Sequence, residues 1–220
     1  MVLSCRFGLL CNWHNYQHGE GVMDIAALNA TMKKYPQSFT DEAGDSIFDK
    51  GWAYGVWYCG TSFTKVKLYG QYPPTFLKRC AALFPNAGRV LHAPSGSLAD
   101  LPSGHVTLDI HNDDVRKPMY VGDCGNMPFA DGSFDLVLSD PPYSEEDSRL
   151  YGCAKFPEKK FMSECRRVLR VGGHLGFLAY HYPSYRRTEW RLRGLFAVVT
   201  GFSRRTRMFS VFEKMGSPNA

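Results

Sequence analysis

The chain has 220 residues, a formal net charge of +5 and 44% hydrophobic residues, which is enough apolar content for one sizeable core and excludes a disordered chain. Its seven cysteines are an odd number scattered along the chain, which favours free thiols in a reducing compartment over a disulfide framework. No apolar run approaches the roughly 20 residues of a membrane-spanning helix, and the opening MVLSCRFGLLCNWH is too short for a signal peptide, so we expect a cytoplasmic protein without a membrane segment.

Residues 1–71 are rich in glycine, aromatic and turn residues and show little periodicity, as in GWAYGVWYCGTSF. This texture predicts an irregular N-terminal extension with short strands, packing on a core formed by the rest of the chain. Near its start, Cys5, Cys11, His14 and His18 form a C-x5-C-x2-H-x3-H array, a ligand set that zinc accepts. The first spacing is too long for the usual zinc knuckle, so we predict no metal site there.

From residue 72 the pattern becomes regular. The segments TFLKRCAALF and EKKFMSECRRVL have helical spacing, and short apolar runs closed by turns occur in RVLHA, HVTLDI, MYVGD, FDLVLSD and GGHLGFLAY. LFAVVTGF and RTRMFSVFEK predict a terminal pair of strands, and SLADLPSG leaves room for a short helix. Strands interleaved with helices predict that residues 72–220 form one α/β domain around a mostly parallel sheet, with ligands at the carboxyl ends of its strands.

The stretch LVLSDPPYSEE is unusual because an apolar strand runs directly into Asp140, Pro141, Pro142 and Tyr143. Proline cannot donate to a sheet ladder and restricts the residue before it, so the strand has to end in a rigid elbow. A proline-rich turn with a capping aspartate would explain the tetrapeptide by itself. At the carboxyl end of a strand in an α/β sheet, however, it indicates a functional site.

The order of these motifs resembles the class I S-adenosylmethionine-dependent methyltransferases: a strand with a glycine loop, a strand ending in an acid, a strand with Gly-Asp, and a strand followed by DPPY. The tetrapeptide is similar to the catalytic motif of amino-methyltransferases, above all the DNA adenine-N6 enzymes, and CRRVLRVGGHLGFL is similar to the helix, turn and strand that follow it. The resemblance covers about residues 72 to 214. It implies a Rossmann-like fold, with a mostly parallel twisted sheet, helices on both faces and an antiparallel C-terminal strand.

The resemblance implies catalytic roles for the tetrapeptide. Asp140 would accept a hydrogen bond from the target amine, the Pro141 carbonyl would accept a second one, Pro142 would help to fix both acceptors, and Tyr143 would stack on the base. Such acceptors favour the electron-rich form of a poorly nucleophilic amine, which is preorganised electrostatic catalysis. A base inside a duplex cannot reach this site, so it has to be flipped out or unpaired.

The resemblance also implies S-adenosylmethionine as the cofactor. The loop HAPSGS is similar to the P-x-G-S loop of amino-methyltransferases, although His92 and Ala93 stand where an acid is common and Leu98 replaces a second glycine. Asp109 would bind the ribose hydroxyls and Asp123 would meet the adenine edge; without the resemblance, a turn acid and an N-cap would explain these two aspartates. The expected cofactor-binding residues are His92, Ala93, Pro94, Ser95, Gly96, Asp109, Ile110, Asp123, Cys124 and Asp140.

The C-terminal region is basic. Residues 186–220 hold eight basic and two acidic side chains, a net charge of +6, so residues 1–185 sum to −1. A basic region on a nearly neutral body suggests a polyanionic partner, although charge runs often form only a solvated face. The expected nucleic-acid-binding residues are Tyr143, Arg186, Arg187, Arg204, Arg205 and Arg207.

These features predict methyl transfer to an exocyclic amine of a nucleobase, with adenine N6 in DNA as the first candidate. RNA adenine N6, guanine N2 and cytosine N4 are variants of the same chemistry, whereas a nucleic-acid-binding module that has lost activity belongs to a different class. Such a module would tolerate the altered HAPSGSL loop but has no reason to keep Asp109, Asp123 and DPPY together. A protein amide is a further alternative, served by a related Asn-Pro-Pro-Tyr motif; Asp140 and the basic region argue against it.

Overall fold

The computed structural model describes residues 53–60, 72–201 and 206–216. The chain divides into two compact units, Met1–Lys50 and Gly51–Ala220, and the described residues all lie in the second unit. The candidate zinc ligands near the N-terminus lie outside the described residues, as do Arg204 and Arg205. In the described ranges, no helix is long and apolar enough to cross a membrane, and no three His, Cys, Asp or Glu side chains are grouped to hold a metal ion.

An eight-stranded sheet forms the centre of the described unit. Its strands are β1 (Ala53–Tyr58), β2 (Val90–His92), β3 (His105–Asp109), β4 (Tyr120–Val121), β5 (Phe134–Ser139), β6 (Leu169–Ala179), β7 (Trp190–Val199) and β8 (Arg207–Lys214). They lie in the order β1-β7-β8-β6-β5-β2-β3-β4, and every neighbouring pair is parallel except the two pairs that contain β8. This arrangement confirms the predicted α/β fold, with a mostly parallel sheet and an antiparallel C-terminal strand.

The first strand comes from the segment that was predicted to form the N-terminal extension. β1 pairs in parallel with β7, and Trp57 is buried against Phe196 and Phe209. The sheet therefore begins upstream of residue 72, and the division of the chain falls after Lys50. GWAYGVWY conceals this strand because its glycines interrupt the alternation of apolar and polar residues that marks a half-buried strand.

Helices cover both faces of the sheet. The described helices are α1 (Phe76–Leu83), α2 (Glu145–Leu150) and α3 (Glu158–Val168). Successive side chains of a strand point to opposite faces, and β5 shows the consequence. Val137 belongs to the core cluster that contains Phe161 of α3, whereas Leu136 and Leu138 belong to the cluster that contains Phe76 of α1. α1 and α3 thus pack on opposite faces, as predicted.

The crossover from β2 to β3 contains turns and no helix, so the short helix expected in SLADLPSG is absent. The backbone takes a positive φ at Gly96 (55°), Asp100 (53°) and Gly104 (86°), and these conformations interrupt helical hydrogen bonding. The loop is instead tied to β3 by the Ser95 N–H, which donates to the Leu108 carbonyl at 2.9 Å. A short irregular loop therefore stands at the carboxyl end of β2.

The strand order reverses at β2, which lies between β3 and β5 and is parallel to both. From β2 the chain builds outward through β3 and β4 on one side, and then through β5 and β6 on the other. In open α/β sheets, ligands bind in the crevice at such a switch point, outside the carboxyl ends of the strands. The HAPSGS loop, Asp109 and the DPPY elbow therefore meet at one edge of the sheet.

A buried histidine pair joins β2 to β3. His92 is fully buried, and its Nε2 lies 2.9 Å from Nδ1 of His105, the residue that begins β3. Burial, together with the neighbouring His105, lowers the pKa of His92 to about 3. Burial also lowers the pKa of His105. Both rings are therefore neutral at neutral pH, and one donates a hydrogen bond to the other.

We expect this pair to make the fold sensitive to acid. An unfolded histidine takes up a proton near pH 6.5, whereas folded His92 resists protonation down to about pH 3, so acidification favours the unfolded chain. His92→Gln removes this proton site and keeps a hydrogen-bonding group toward His105. Between about pH 7 and about pH 5, the wild type should lose about 2 kcal/mol more of its free energy of unfolding than His92→Gln, as measured by denaturant unfolding. Equal losses in the two proteins would contradict this expectation.

Candidate active site

A cavity of about 530 Å³ opens where β2, β3 and β5 end. It brings together the loop after β2, the aspartate that ends β3, the turn after β4 and the tetrapeptide after β5. The predicted site residues that line it are Pro94, Ser95, Gly96, Asp109, Ile110, Asp123, Cys124, Asp140, Pro141, Pro142, Tyr143 and Arg207. One cavity thus holds most of the expected cofactor residues and all of the expected catalytic residues.

Two of the predicted cofactor residues, His92 and Ala93, do not line the cavity. The His92 ring turns toward His105, and the Ala93 N–H donates to the Leu138 carbonyl of β5 at 3.1 Å. Both residues are fully buried. Because β2 has a neighbouring strand on each side, its last residues belong to the core, and the loop that faces the cavity begins at Pro94.

Asp109 is held in place by two backbone N–H groups. Gly96 donates to Oδ2 at 2.8 Å and His111 donates to Oδ1 at 3.0 Å, and Asp109 is only 5% exposed. The carboxylate therefore links the loop after β2 to the end of β3. Each carboxylate oxygen has a second lone pair, so Asp109 can still accept hydrogen bonds from the hydroxyl groups of a ligand.

Two buried polar atoms of the cavity wall, Ser95 Oγ and His111 Nε2, have no hydrogen-bond partner in the described part of the chain. A buried polar group without a partner is costly, so these atoms favour a polar ligand in this half of the cavity. S-adenosylmethionine has ribose hydroxyls, an ammonium group and a carboxylate that would meet them and Asp109, so the residues fit this cofactor. His111 was not predicted; its signal is its position two residues after the acid that ends β3.

Asp123, Cys124 and Ile110 complete this half of the cavity. The Gly125 N–H donates to Asp123 Oδ1 at 2.7 Å, so Asp123 closes a turn and lines the cavity at the same time. Burial raises the pKa of the Cys124 thiol to about 12, which keeps it neutral and makes it an apolar contact for a ligand. Ile110 is 55% exposed and stands at the position predicted for an apolar wall.

The tetrapeptide forms the rigid elbow that the sequence predicts. β5 ends at Ser139, and α2 begins after Ser144, whose hydroxyl accepts from the Asp147 N–H at 3.0 Å as an N-cap. The residues between the two elements belong to neither a helix nor a strand. Pro141 is buried and the Asp140 side chain is 13% exposed, so the carboxylate is held at the end of β5 with little contact to water.

Arg207, predicted as a nucleic-acid-binding residue, lines the cavity itself. Its side chain is 17% exposed, and its Nη1 lies 2.9 Å from the Tyr143 hydroxyl and 3.4 Å from Asp140 Oδ2. The Tyr143 hydroxyl in turn donates to Asp140 Oδ1. The position of Arg207 follows from the strand order. β8 runs antiparallel to β6, so the start of β8 meets the carboxyl end of β6, beside the end of β5.

The three side chains of this cluster have defined charges at neutral pH. Burial raises the pKa of Asp140 to about 6, while the charge of Arg207 and the hydrogen bond from Tyr143 oppose the rise. Burial and the neighbouring carboxylate raise the pKa of Tyr143 far above its usual range. The cluster is therefore a carboxylate, a neutral phenol and a guanidinium. The carboxylate keeps lone pairs for an amine, which is the acceptor role that the resemblance implies.

Four tyrosines, which we call the aromatic wall, line the cavity: Tyr72, Tyr143, Tyr151 and Tyr180. The rings of Tyr143 and Tyr180 lie 4.5 Å apart between their centroids, at an angle of 49°. Tyr72 stacks on Phe76, and its buried hydroxyl has no hydrogen-bond partner within the described ranges. Aromatic rings accept the face of a planar ligand. Tyr72 and Tyr180 were not predicted, because neither belongs to a recognisable motif.

The other arginines of the basic region that the structure describes do not belong to the cavity lining. Arg186 and Arg187 are exposed, and Arg186 Nη1 lies 3.4 Å from Glu189 Oε1. Arg193 Nε lies 2.6 Å from Glu213 Oε2. Glutamates of the same chain thus pair with part of the positive charge of this region.

We expect Asp109→Asn to weaken the binding of S-adenosylmethionine. The substitution removes a charged acceptor and keeps the size of the side chain; a hydrogen bond to a charged group contributes about 1.5 to 3 kcal/mol, so the dissociation constant should rise about 10- to 100-fold. Calorimetry measures this constant, and circular dichroism checks the fold. Asp131→Asn is the control, because the Asp131 side chain is 81% exposed and pairs with Arg167 outside the cavity lining. An unchanged constant for Asp109→Asn would contradict the assigned role.

Residues 104–177 match the family model described as a methyltransferase domain. The match extends from the start of β3 into β6 and includes Asp109, Asp123 and the tetrapeptide. The phthiotriol/phenolphthiotriol dimycocerosates methyltransferase of Mycobacterium leprae (strain TN) is 34% identical over 105 residues, which are 47% of this chain and 35% of that protein. The chain thus spans about a third of the length of this curated relative.

Several solved structures are similar to the chain at low identity. TrmN from Thermus thermophilus is 16% identical, over 68% of this chain and 51% of that chain, with a TM-score of 0.42. The putative methyltransferase yhhF from Escherichia coli is 12% identical, over 74% and 99% of the two chains, with a TM-score of 0.44. The 1,6-didemethyltoxoflavin-N1-methyltransferase of Burkholderia thailandensis, solved with 1,6-didemethyltoxoflavin and S-adenosylhomocysteine, is 12% identical over 93% and 98%, with a TM-score of 0.40.

The family match and the sheet indicate the same class of protein. The matched residues include three of the loops that line the cavity, and the strand order places these loops at the switch point of the sheet. The described unit therefore has a Rossmann-like fold of the class I methyltransferase type, and the matched domain indicates S-adenosylmethionine as the methyl donor.

Proposed function

We propose that this protein transfers a methyl group from S-adenosylmethionine to an exocyclic amine of a nucleobase, with adenine N6 in DNA as the leading candidate. The observation that carries the proposal is the buried Asp140 carboxylate, which stands at the end of β5 in the same cavity as Asp109 and the loop after β2. S-adenosylmethionine, when bound, supplies the methyl group and leaves as S-adenosylhomocysteine, and the amine gives up one proton in exchange.

The residues of the elbow have separate tasks in this proposal. Asp140 would hold the amine by a hydrogen bond and accept the proton that the amine releases. Its pKa of about 6 suits both tasks, because the group is ionised at neutral pH and basic enough to share a proton. Pro141 and Pro142 restrict the backbone and so keep the carboxylate in position. The Tyr143 ring would take one face of the base.

A nucleic-acid partner is supported by the aromatic wall and by the net charge of +6 on residues 186–220. A base has to leave its stack to enter such a cavity, and aromatic rings compensate for the lost stacking. The preference for DNA rests on the resemblance of the tetrapeptide to the DNA adenine-N6 enzymes. RNA adenine N6, guanine N2 and cytosine N4 would use the same acceptor.

A small-molecule acceptor is the second candidate, favoured by the match to the phthiotriol/phenolphthiotriol dimycocerosates methyltransferase. Asp140 can accept a hydrogen bond from a hydroxyl group as well as from an amine. The DPPY elbow, the tyrosine wall and the basic region together favour the nucleobase.

Transfer of a labelled methyl group tests the proposal. After incubation with DNA or RNA and labelled S-adenosylmethionine, mass spectrometry of the nucleosides should find the label in N6-methyladenine from DNA. Asp140→Ala should slow this transfer about 100-fold or more, because it removes a preorganised acceptor, while calorimetry shows that the cofactor still binds. The exposed Asp131→Ala is the control and should keep the wild-type rate. Label in a small molecule or protein and in no nucleoside would contradict the proposal.

The pKa of Asp140 predicts how the rate depends on pH. A protonated carboxyl is a poor acceptor for the amine, so kcat/KM should fall with decreasing pH, by about tenfold per pH unit below about pH 6. Tyr143→Phe removes a hydrogen bond that favours the ionised form, so its midpoint should lie at a higher pH. Initial rates of label transfer over a series of pH values measure both midpoints. A wild-type rate that is constant down to about pH 5 would contradict the role of Asp140.

A further inference from the structure

Arg207 is an unusual neighbour for an amine-binding carboxylate. It is largely buried in the cavity wall, and the hydrogen bonds that the structure shows for it are made by Nη1, to the Tyr143 hydroxyl and to Asp140 Oδ2. A guanidinium has several N–H groups in a rigid plane, so Arg207 has donors left for a ligand in the cavity.

Asp140 and Arg207 therefore present an acceptor and a donor side by side. Nη1 of Arg207 and Oδ2 of Asp140 lie 3.4 Å apart, which lets the two groups address neighbouring atoms of one planar ligand. The Tyr143 hydroxyl donates to Asp140 and accepts from Arg207, so it fixes the two side chains relative to each other. Such a pair is complementary to an edge on which an amine stands next to an atom that accepts a hydrogen bond.

We propose that Arg207 determines specificity by donating a hydrogen bond to the ring nitrogen next to the amine that is methylated. Adenine has this edge, because N1 and N7 flank the 6-amino group, and cytosine has it through N3 beside the 4-amino group. An isolated alkyl amine has no acceptor beside the nitrogen and would make no hydrogen bond with Arg207. The inference rests on the proposed function, since it names which atoms of the nucleobase the site recognises.

The test compares three short single-stranded DNAs that carry adenine, 1-deazaadenine or 7-deazaadenine at one position. Each deaza analogue replaces one ring nitrogen by CH and keeps the amine. We expect the wild-type kcat/KM to fall about 10- to 100-fold for one of the two analogues, because a hydrogen bond from a charged donor is lost. Arg207→Met keeps a long side chain without donors, and it should lower kcat/KM for adenine by a similar factor and treat the three DNAs nearly alike.

The ratio of kcat/KM between substrates distinguishes a role of Arg207 in recognition from a purely structural role. If Arg207 only kept Asp140 ionised, Arg207→Met would lower kcat/KM for all three DNAs by the same factor, and the wild-type preference would persist; that outcome would overturn the inference. The exposed Arg191→Met is the control and should keep both the rate and the preference. If Arg207→Met does not fold, the wild type alone can still overturn the inference, because equal kcat/KM for the three DNAs needs no variant to be observed.

The remaining outcomes distinguish this inference from the proposed function. Equal kcat/KM of the wild type for all three DNAs, with adenine methylated, would overturn the inference and leave the proposed function standing. Methylation of none of them and of no other nucleobase, with cofactor binding intact by calorimetry, would overturn the proposed function and the inference with it. A lower kcat/KM of the wild type for one analogue than for adenine, together with no such difference in Arg207→Met, would establish Arg207 as the group that recognises the ring nitrogen.

Discussion

A carboxylate buried at the end of β5 is the constraint on which the site depends. Taking a charge out of water is costly unless an opposite charge and hydrogen bonds accompany it, and Arg207 and Tyr143 supply both to Asp140. Arg207 is separated from Asp140 by 67 positions in the chain and reaches it because β8 returns antiparallel along β6. The antiparallel strand therefore brings the charge that allows the acceptor to be buried.

The cofactor half of the cavity is organised by a second carboxylate. Many α/β proteins direct the N-terminus of a helix at a bound nucleotide, but the crossover after β2 has no helix here. Asp109 orders the loop instead, by accepting hydrogen bonds from Gly96 and His111, and Ser95 and His111, which each bury a polar atom without a partner among the described residues, belong to the same cavity lining. Cofactor affinity in this protein should therefore depend on single side chains more than on a helix dipole.

Acid acts on the fold and on the site through different groups. Protonation of Asp140 below about pH 6 favours the folded chain, because the pKa of this carboxyl is raised by burial, whereas the lowered pKa of His92 makes acid favour the unfolded chain. One acid titration should therefore show two separate effects. Asp140 loses its role as a hydrogen-bond acceptor, and protonation linked to His92 lowers the free energy of unfolding. His92 is the last residue of β2 and Asp140 follows the last residue of the neighbouring β5, yet only Asp140 lines the cavity.

Local chemistry explains what the sequence alone determined: the strands from β2 onward, the helices α1 and α3 but not α2, the elbow at Asp140 to Tyr143, and the acid at Asp109 that ends a strand. Apolar periodicity, the missing N–H of proline and the polar end of an apolar run are all visible within a few residues. Strand pairing between distant segments decided the rest. It places the His92 ring in the core, adds β1 to the sheet, brings Tyr72 and Tyr180 to the cavity, and sets Arg207 beside Asp140. No local pattern encodes these placements, because each depends on which residue stands opposite in a neighbouring strand.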